Sequence, residues 1–240
     1  MREILSLFWR MVLDSLFPAF CLGCKIEGVF LCEDCLGAVP RLKSDVDSRA
    51  DRLAGASVGA HFLDGVIAGS KFEEGGLLQR AIHGFKYDFL EELASPLGQF
   101  LFEAFEEFLC DFLQKYPDRK LVLCPLPLHQ RRLSWRGFNQ AELLCLAVMQ
   151  RLRSAGFENV EMALVLQRVH FSRPQMELDR EQRLENMKSA FKVVGEVDPM
   201  SVIVLVDDIA TTLSTLENAA LVLKAAGVRE VYGLVLARVF

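Results

Sequence analysis

The strongest constraint on the fold is a regular alternation over the last forty residues. Residues 202–208, VIVLVDD, form an apolar run ending in two acids, and 209–214, IATTLS, form a polar link. Residues 215–227, TLENAALVLKAAG, carry apolar positions at helical spacing and close on Gly227, and 231–239, VYGLVLARV, return to an apolar run. A strand buried on both faces reads as a nearly unbroken apolar run, and strand–helix–strand with short links is a βαβ unit with a right-handed crossover in a parallel sheet. Ligands of such sheets collect beyond the carboxyl ends of the strands, so the residues after position 206 carry the candidate site.

Upstream, Ser95 and Pro96 supply an N-cap and a first-turn proline, and Leu97, Leu101, Phe105, Phe108 and Phe112 recur at three to four residues, predicting a helix that ends near Lys115. The apolar run 121–128, LVLCPLPL, predicts a second buried strand, followed by an arginine-rich loop over 129–136 and a helix over 139–152. Further strands are expected at 162–166 and 190–194, with a helical stretch around 180–187. Residues 55–72 suggest short antiparallel strands before a helix at 77–85. The polar stretch 41–52 reads as a linker, dividing a module at 1–40 from a domain at 53–240. With 52% hydrophobic and 25% charged residues the 240-residue chain can bury a core, which excludes disordered and collagen-like classes. A net charge of -5 excludes a generally basic nucleic-acid coat and leaves local basic patches.

Residues 1–17 are apolar, but Glu3, Arg10 and Asp14 interrupt them well short of the roughly 20 apolar residues a spanning helix needs, and no small-residue cleavage site comes after them. Leu5, Phe8, Trp9, Val12 and Leu16 at helical spacing predict an amphipathic helix that docks on a domain or on a protein partner, membrane-surface binding being the weaker reading. The expectation is a soluble, cytoplasmic protein that does not span a membrane. Cys21-x2-Cys24 and Cys32-x2-Cys35 present four thiolates at the spacing of a closed structural Zn2+ site; two disulfides or a redox dithiol are the alternatives. Cys110, Cys124 and Cys145 fall on apolar faces and read as plain buried cysteines. His61, His83, His129 and His170 have no metal-ligand partners at helical spacing and read as surface or packing residues.

Asp207 and Asp208 at a strand end suit vicinal ribose hydroxyls or a hydrated Mg2+. Thr211, Thr212, Ser214 and Thr215 at a helix start suit a phosphate, or else the whole is an acidic turn leading into an N-cap. Arg131, Arg132 and Arg136 offer bidentate donors to a polyanion, or form a solvated basic loop. Trp135 and Phe138 interleave aromatic faces with those charges, as a single-stranded nucleic-acid site does, although Asp88, Glu91 and Glu92 nearby would repel a phosphate backbone.

The run VIVLVDDIATTLSTL resembles the phosphoribosyl pyrophosphate (PRPP) loop of type I phosphoribosyltransferases. HGFKYDF (83–89), CPLPLHQRRLSWRGFNQAELL (124–144), RPQMELDREQRLENMKSAF (173–191) and the N-terminal cysteines resemble the ComF family, including its ComFC and GntX-like members, over nearly the whole chain and in the same order. The resemblance implies an α/β, parallel-sheet, type I phosphoribosyltransferase-like domain with a small N-terminal four-cysteine zinc module. It implies that Asp207 and Asp208 contact ribose hydroxyls, that Thr211, Thr212, Ser214 and Thr215 hold the 5′-phosphate, and that the loop 129–136 faces pyrophosphate with Mg2+. It also implies a part in natural competence and DNA uptake through single-stranded DNA in the cytoplasm, alongside the alternative of an active transferase moving ribose 5-phosphate from PRPP to a nucleobase or amine. This chain departs from the pattern at Leu213, where the family loop has glycine; leucine restricts the backbone there and counts against a working transferase.

Overall fold

A computed structural model describes residues 18–42, 47–48, 62–169 and 190–240. The expected amphipathic helix in 1–17, most of the linker 41–52 and the helical stretch around 180–187 lie outside the described residues, as do His61 and His170.

A six-stranded sheet organises the chain: β1 (Asp47–Ser48), β2 (Gly65–Lys71), β3 (Leu121–Pro125), β4 (Val160–Met162), β7 (Val202–Ala210) and β8 (Glu230–Arg238). The order is β1-β2-β8-β7-β3-β4, with β1 antiparallel at one edge and the other five strands parallel. Two short strands, β5 (Leu166–Arg168) and β6 (Phe191–Val193), pair antiparallel in a separate ribbon. The helices are α1 (Glu33–Gly37), α2 (Leu77–Tyr87), α3 (Ala94–Lys115), α4 (Gln130–Arg136), α5 (Gln140–Ser154) and α6 (Ser214–Ala225).

Both faces of the sheet are covered, which is why β3 and β7 read as unbroken apolar runs. On one face Leu121, Leu123, Val202, Val204 and Val206 pack against α2, α3 and α5. On the other Val122, Cys124, Ile203 and Leu205 meet α6, and Phe191 of the ribbon joins them. Alternate residues of each strand thus serve opposite layers. The chain leaves β3 through α5 toward β4, and leaves β7 through α6 toward β8, in opposite directions along the sheet. The junction between β3 and β7 is therefore a topological switch point, where the flanking connections part and leave a crevice at the strand ends.

Several sequence expectations shift in detail. The strand expected at 162–166 is divided: β4 ends at Met162 and β5 begins at Leu166, because the chain leaves the main sheet between them to start the ribbon. The strand within 55–72 that is described, β2, pairs antiparallel with β1 on one side and parallel with β8 on the other, so it joins the main sheet. Ser95 is not the cap of α3; a single 3-10 turn over Glu91–Leu93 runs directly into the helix, placing Ser95 and Pro96 in its first turn. The loop over 129–136 contains α4, and His129 caps it by accepting a hydrogen bond at Nδ1 from the Arg131 N–H, 3.1 Å. Cys124 and Cys145 are buried as expected, whereas Cys110 is exposed on α3. Among the described residues no helix is long and apolar enough to cross a membrane.

Candidate functional site: an acid and arginine cleft and a four-cysteine cluster

A cleft of about 630 Å³ opens at the switch point, lined by Asp207 and Asp208 from β7, Arg132, Trp135 and Arg136 from α4, Gln140 from α5, Lys86 and Tyr87 from α2, Arg168 from β5, and Thr215 from α6. The two acids and two of the three arginines expected from sequence thus share one space. Arg131 is exposed outside that lining. Thr211, Thr212 and Ser214 line a smaller adjoining hollow, with Asp207, Ile209 and Thr215 common to both. There the Thr212 and Ser214 hydroxyls are 2.9 Å apart.

The acids differ in surroundings. Asp208 is 3% exposed, and its carboxylate is satisfied on both oxygens: Lys86 Nζ lies 2.6 Å from Oδ1, and Gln140 Nε2 donates to Oδ2 at 2.9 Å. A buried carboxylate needs such a full set of partners, since ion pairing alone does not offset the loss of water. Asp207 is half-buried and accepts the Asp208 backbone N–H at 2.9 Å. Burial, then repulsion from Asp208, pushes its pKa up to about 7.

The run Arg136 to Gln140 builds the opposite wall. Arg136 is 6% exposed and donates to the Gln140 side-chain oxygen; burial lowers its pKa while Asp208 works to raise it. Its Nε is buried with no hydrogen-bond partner among the described residues. Gly137 ends α4 at φ 85°, a left-handed turn suited to glycine. Asn139 caps α5 by accepting from the Ala141 N–H and donates to the Leu126 carbonyl, each at 3.1 Å, which ties the end of β3 to the helix. Gln140 then bridges Arg136 to Asp208. Phe138 is turned into the core, its ring 5.6 Å from Phe85, so it offers no face to a ligand. Trp135 is 57% exposed.

Lys86 and Gln140 fall within the stretches that carry the family resemblance, but the sequence gives neither a role in the site, and it does not mark Arg168. Lys86 and Gln140 are separated from Asp208 by long stretches of chain, and polar residues on otherwise inward-facing helical positions are the faint local signal of their role. Leu213, which replaces the family glycine, sits at φ 59°, ψ -5°, at the start of α6, and its side chain packs against the core beside that helix. The loop therefore holds the left-handed turn that glycine adopts freely, at a cost of roughly 1–2 kcal/mol for a residue with a Cβ.

The four cysteines come together near the N-terminus. Phe20 and Glu27 form an isolated antiparallel bridge around a turn carrying Cys21 and Cys24, and Cys32 and Cys35 lie at the start of α1. Their sulfurs all fall within 4.8 Å of one another and could hold a metal ion. The Cys21–Cys32 and Cys24–Cys32 sulfurs are 3.6 and 3.7 Å apart, beyond a disulfide bond of about 2.05 Å. They match the edge of about 3.8 Å of a tetrahedron with Zn–S distances near 2.3 Å. Burial opposes ionisation of Cys21, but backbone N–H groups of Cys32, Cys24 and Gly23 bring its thiol down to about 6.

These features define an α/β protein with an acid and arginine cleft at the switch point of a parallel sheet and a separate four-cysteine cluster. The chain belongs to the ComF family. It is 30% identical over 168 residues to Competence protein F of Haemophilus influenzae, a match covering 69% of each chain. It is 34% identical over 152 residues to DNA utilization protein YhgH of Escherichia coli K12, covering 62% of each, so the match spans less than two thirds of that relative. It is 32% identical over 135 residues to Competence protein ComFC of Streptococcus pneumoniae, covering 56% of this chain and 55% of that one. No family model matches the chain.

Proposed function

We propose that the cleft binds PRPP or a related ribose phosphate with Mg2+, in a type I phosphoribosyltransferase-like domain, and that the protein serves competence or DNA uptake by handling single-stranded DNA in the cytoplasm. The observation that carries the reading is the shared cleft of Asp207, Asp208, Arg132, Arg136 and Thr215. Asp207, facing the cleft and half-ionised near neutrality, is suited to ribose hydroxyls or a hydrated Mg2+. Thr211, Thr212, Ser214 and Thr215 at the start of α6 supply hydroxyls and backbone donors to a 5′-phosphate. Arg132, Arg136 and Arg168 would meet the pyrophosphate, with Arg131 outside. The names of the relatives in Haemophilus influenzae, Escherichia coli and Streptococcus pneumoniae support the DNA role.

A second reading, an active phosphoribosyltransferase, is favoured by one observation: Leu213 keeps the left-handed turn that its glycine counterpart would supply. The cleft arginines would then stabilise departing pyrophosphate electrostatically, with the acids positioning the sugar. The four-cysteine module at 1–40 is proposed as a structural Zn2+ site bracing the domain at 53–240, because four sulfur ligands leave no open coordination position.

Calorimetric titration of the purified protein with PRPP and Mg2+ tests the pocket. Binding is expected, weakened at least tenfold by Asp208→Asn and by Arg132→Ala, whose side chain is exposed and dispensable for folding. Leu213→Gly is expected to leave affinity within a few-fold, since the backbone already holds the required conformation. Absence of binding in every variant would overturn the ribose phosphate reading. Release of pyrophosphate on adding candidate acceptors separates the enzyme from the binding protein.

A further inference from the structure

Among the exposed large apolar residues described, three aromatic rings gather at the rim of the cleft. Trp135, Tyr87 and Phe89 are 57%, 49% and 44% exposed. The Trp135 ring lies 5.2 Å from Phe89 and 6.2 Å from Tyr87, so the indole stands between two rings contributed by another part of the chain. Phe89 is held at φ 57°, a conformation bulky side chains rarely adopt. Trp135 and Tyr87 continue into the cleft wall, where Lys86, Arg132 and Arg136 bring positive charge alongside. Contiguous exposed apolar surface bordered by charge marks an interaction site.

We propose that Tyr87, Phe89 and Trp135 form a stacking platform for successive bases of single-stranded DNA, with Arg131 and Arg132 engaging its phosphates. This rests on the DNA-handling reading above and assigns it a surface. Flat rings beside guanidinium groups match a ligand that alternates planar bases with anionic linkages, and every base has a face to stack. Duplex DNA hides those faces. The acidic neighbours set the track of the strand: Asp88 lies 3.8 Å from His83, and Glu91 and Glu92 are exposed on the far side of Phe89 in sequence. The phosphates therefore track along α4, where Arg131 and Arg132 are exposed, and not the turn at 91–93.

Fluorescence anisotropy with a labelled oligo(dT), the same strand made abasic, oligo(U) and a duplex tests the proposal on the full-length protein. The wild type should bind oligo(dT) more tightly than duplex and abasic strand, and binding should weaken as salt rises. Trp135→Ala and Phe89→Ala should each weaken oligo(dT) binding about tenfold, in line with stacking losses of roughly 1–3 kcal/mol per base. Trp135→Phe should largely restore it, and Phe89→Ala should leave PRPP affinity unchanged. Equal binding of abasic and natural strands, or undiminished binding by both alanine variants, would overturn the platform while leaving DNA handling intact. Tighter binding of oligo(U) would overturn the assignment to DNA. A wild type that binds no oligonucleotide at low salt would overturn both platform and DNA role, and the PRPP titration judges the pocket separately.

Discussion

Gln140 is the side chain on which the acids and arginines are coupled, accepting from Arg136 and donating to Asp208. Gln140→Leu keeps the volume but leaves a buried carboxylate oxygen and a buried guanidinium each short of a partner. It should destabilise the fold by about 1–3 kcal/mol in urea denaturation and weaken PRPP binding. Asp207 gives a prediction with a definite sign. Its carboxyl titrates near 7 in the folded chain against 3.8 for an ordinary aspartate, so between those values the folded state holds a proton that the unfolded state releases. Stability from this group is present at low pH and is lost as pH rises toward 7. Asp207→Asn should therefore be more stable than wild type at pH 8, by about 1 kcal/mol because the carboxylate faces the open cleft, with the difference fading by pH 5. Denaturant midpoints at the two pH values check it.

At the scale of elements, close backbone approach decides two positions. A Cβ on Gly98 would lie 2.2 Å from the Ala147 Cβ, at the crossing of α3 and α5. Gly98→Ala should force these helices apart and lower the melting temperature by several degrees, despite alanine's better helix propensity, and Ala147→Gly should restore part of the loss. Gly23 lies between the first two cysteines, and a Cβ there would come 2.5 Å from Cys35 Sγ. Gly23→Ala should reduce the metal retained per chain, measured by elemental analysis, even though all four thiols remain.

At the scale of the whole molecule, the cysteine cluster is joined to the main core. Leu31, Leu36 and Val39 belong to the same buried cluster as Phe100 and Phe105 of α3. After the knuckle, Arg41 stacks over Phe100 at 3.6 Å and donates to its carbonyl at 3.0 Å. Removing the metal with a strong chelator should therefore lower the melting temperature of the whole α/β protein, and not release an independent tail. An unchanged thermal transition after complete metal loss would contradict this coupling.

The apolar runs of β3, β7 and β8, the helix that starts at Asn139, and the paired cysteines are legible in the chain because each depends on local period or fixed ligand spacing. The carboxyl end of β7 follows from the βαβ pattern and the arginines from their clustering after β3, so Asp207, Asp208, Arg132 and Arg136 can be named as candidates from sequence alone. Tertiary structure decided the rest. It alone brought Lys86 and Gln140 to Asp208, turned Phe138 inward while leaving Trp135 beside Tyr87 and Phe89, and kept Leu213 in a left-handed turn by packing its side chain. These outcomes depend on contacts between residues far apart in sequence, where burial and partner geometry outweigh any preference a residue carries by itself.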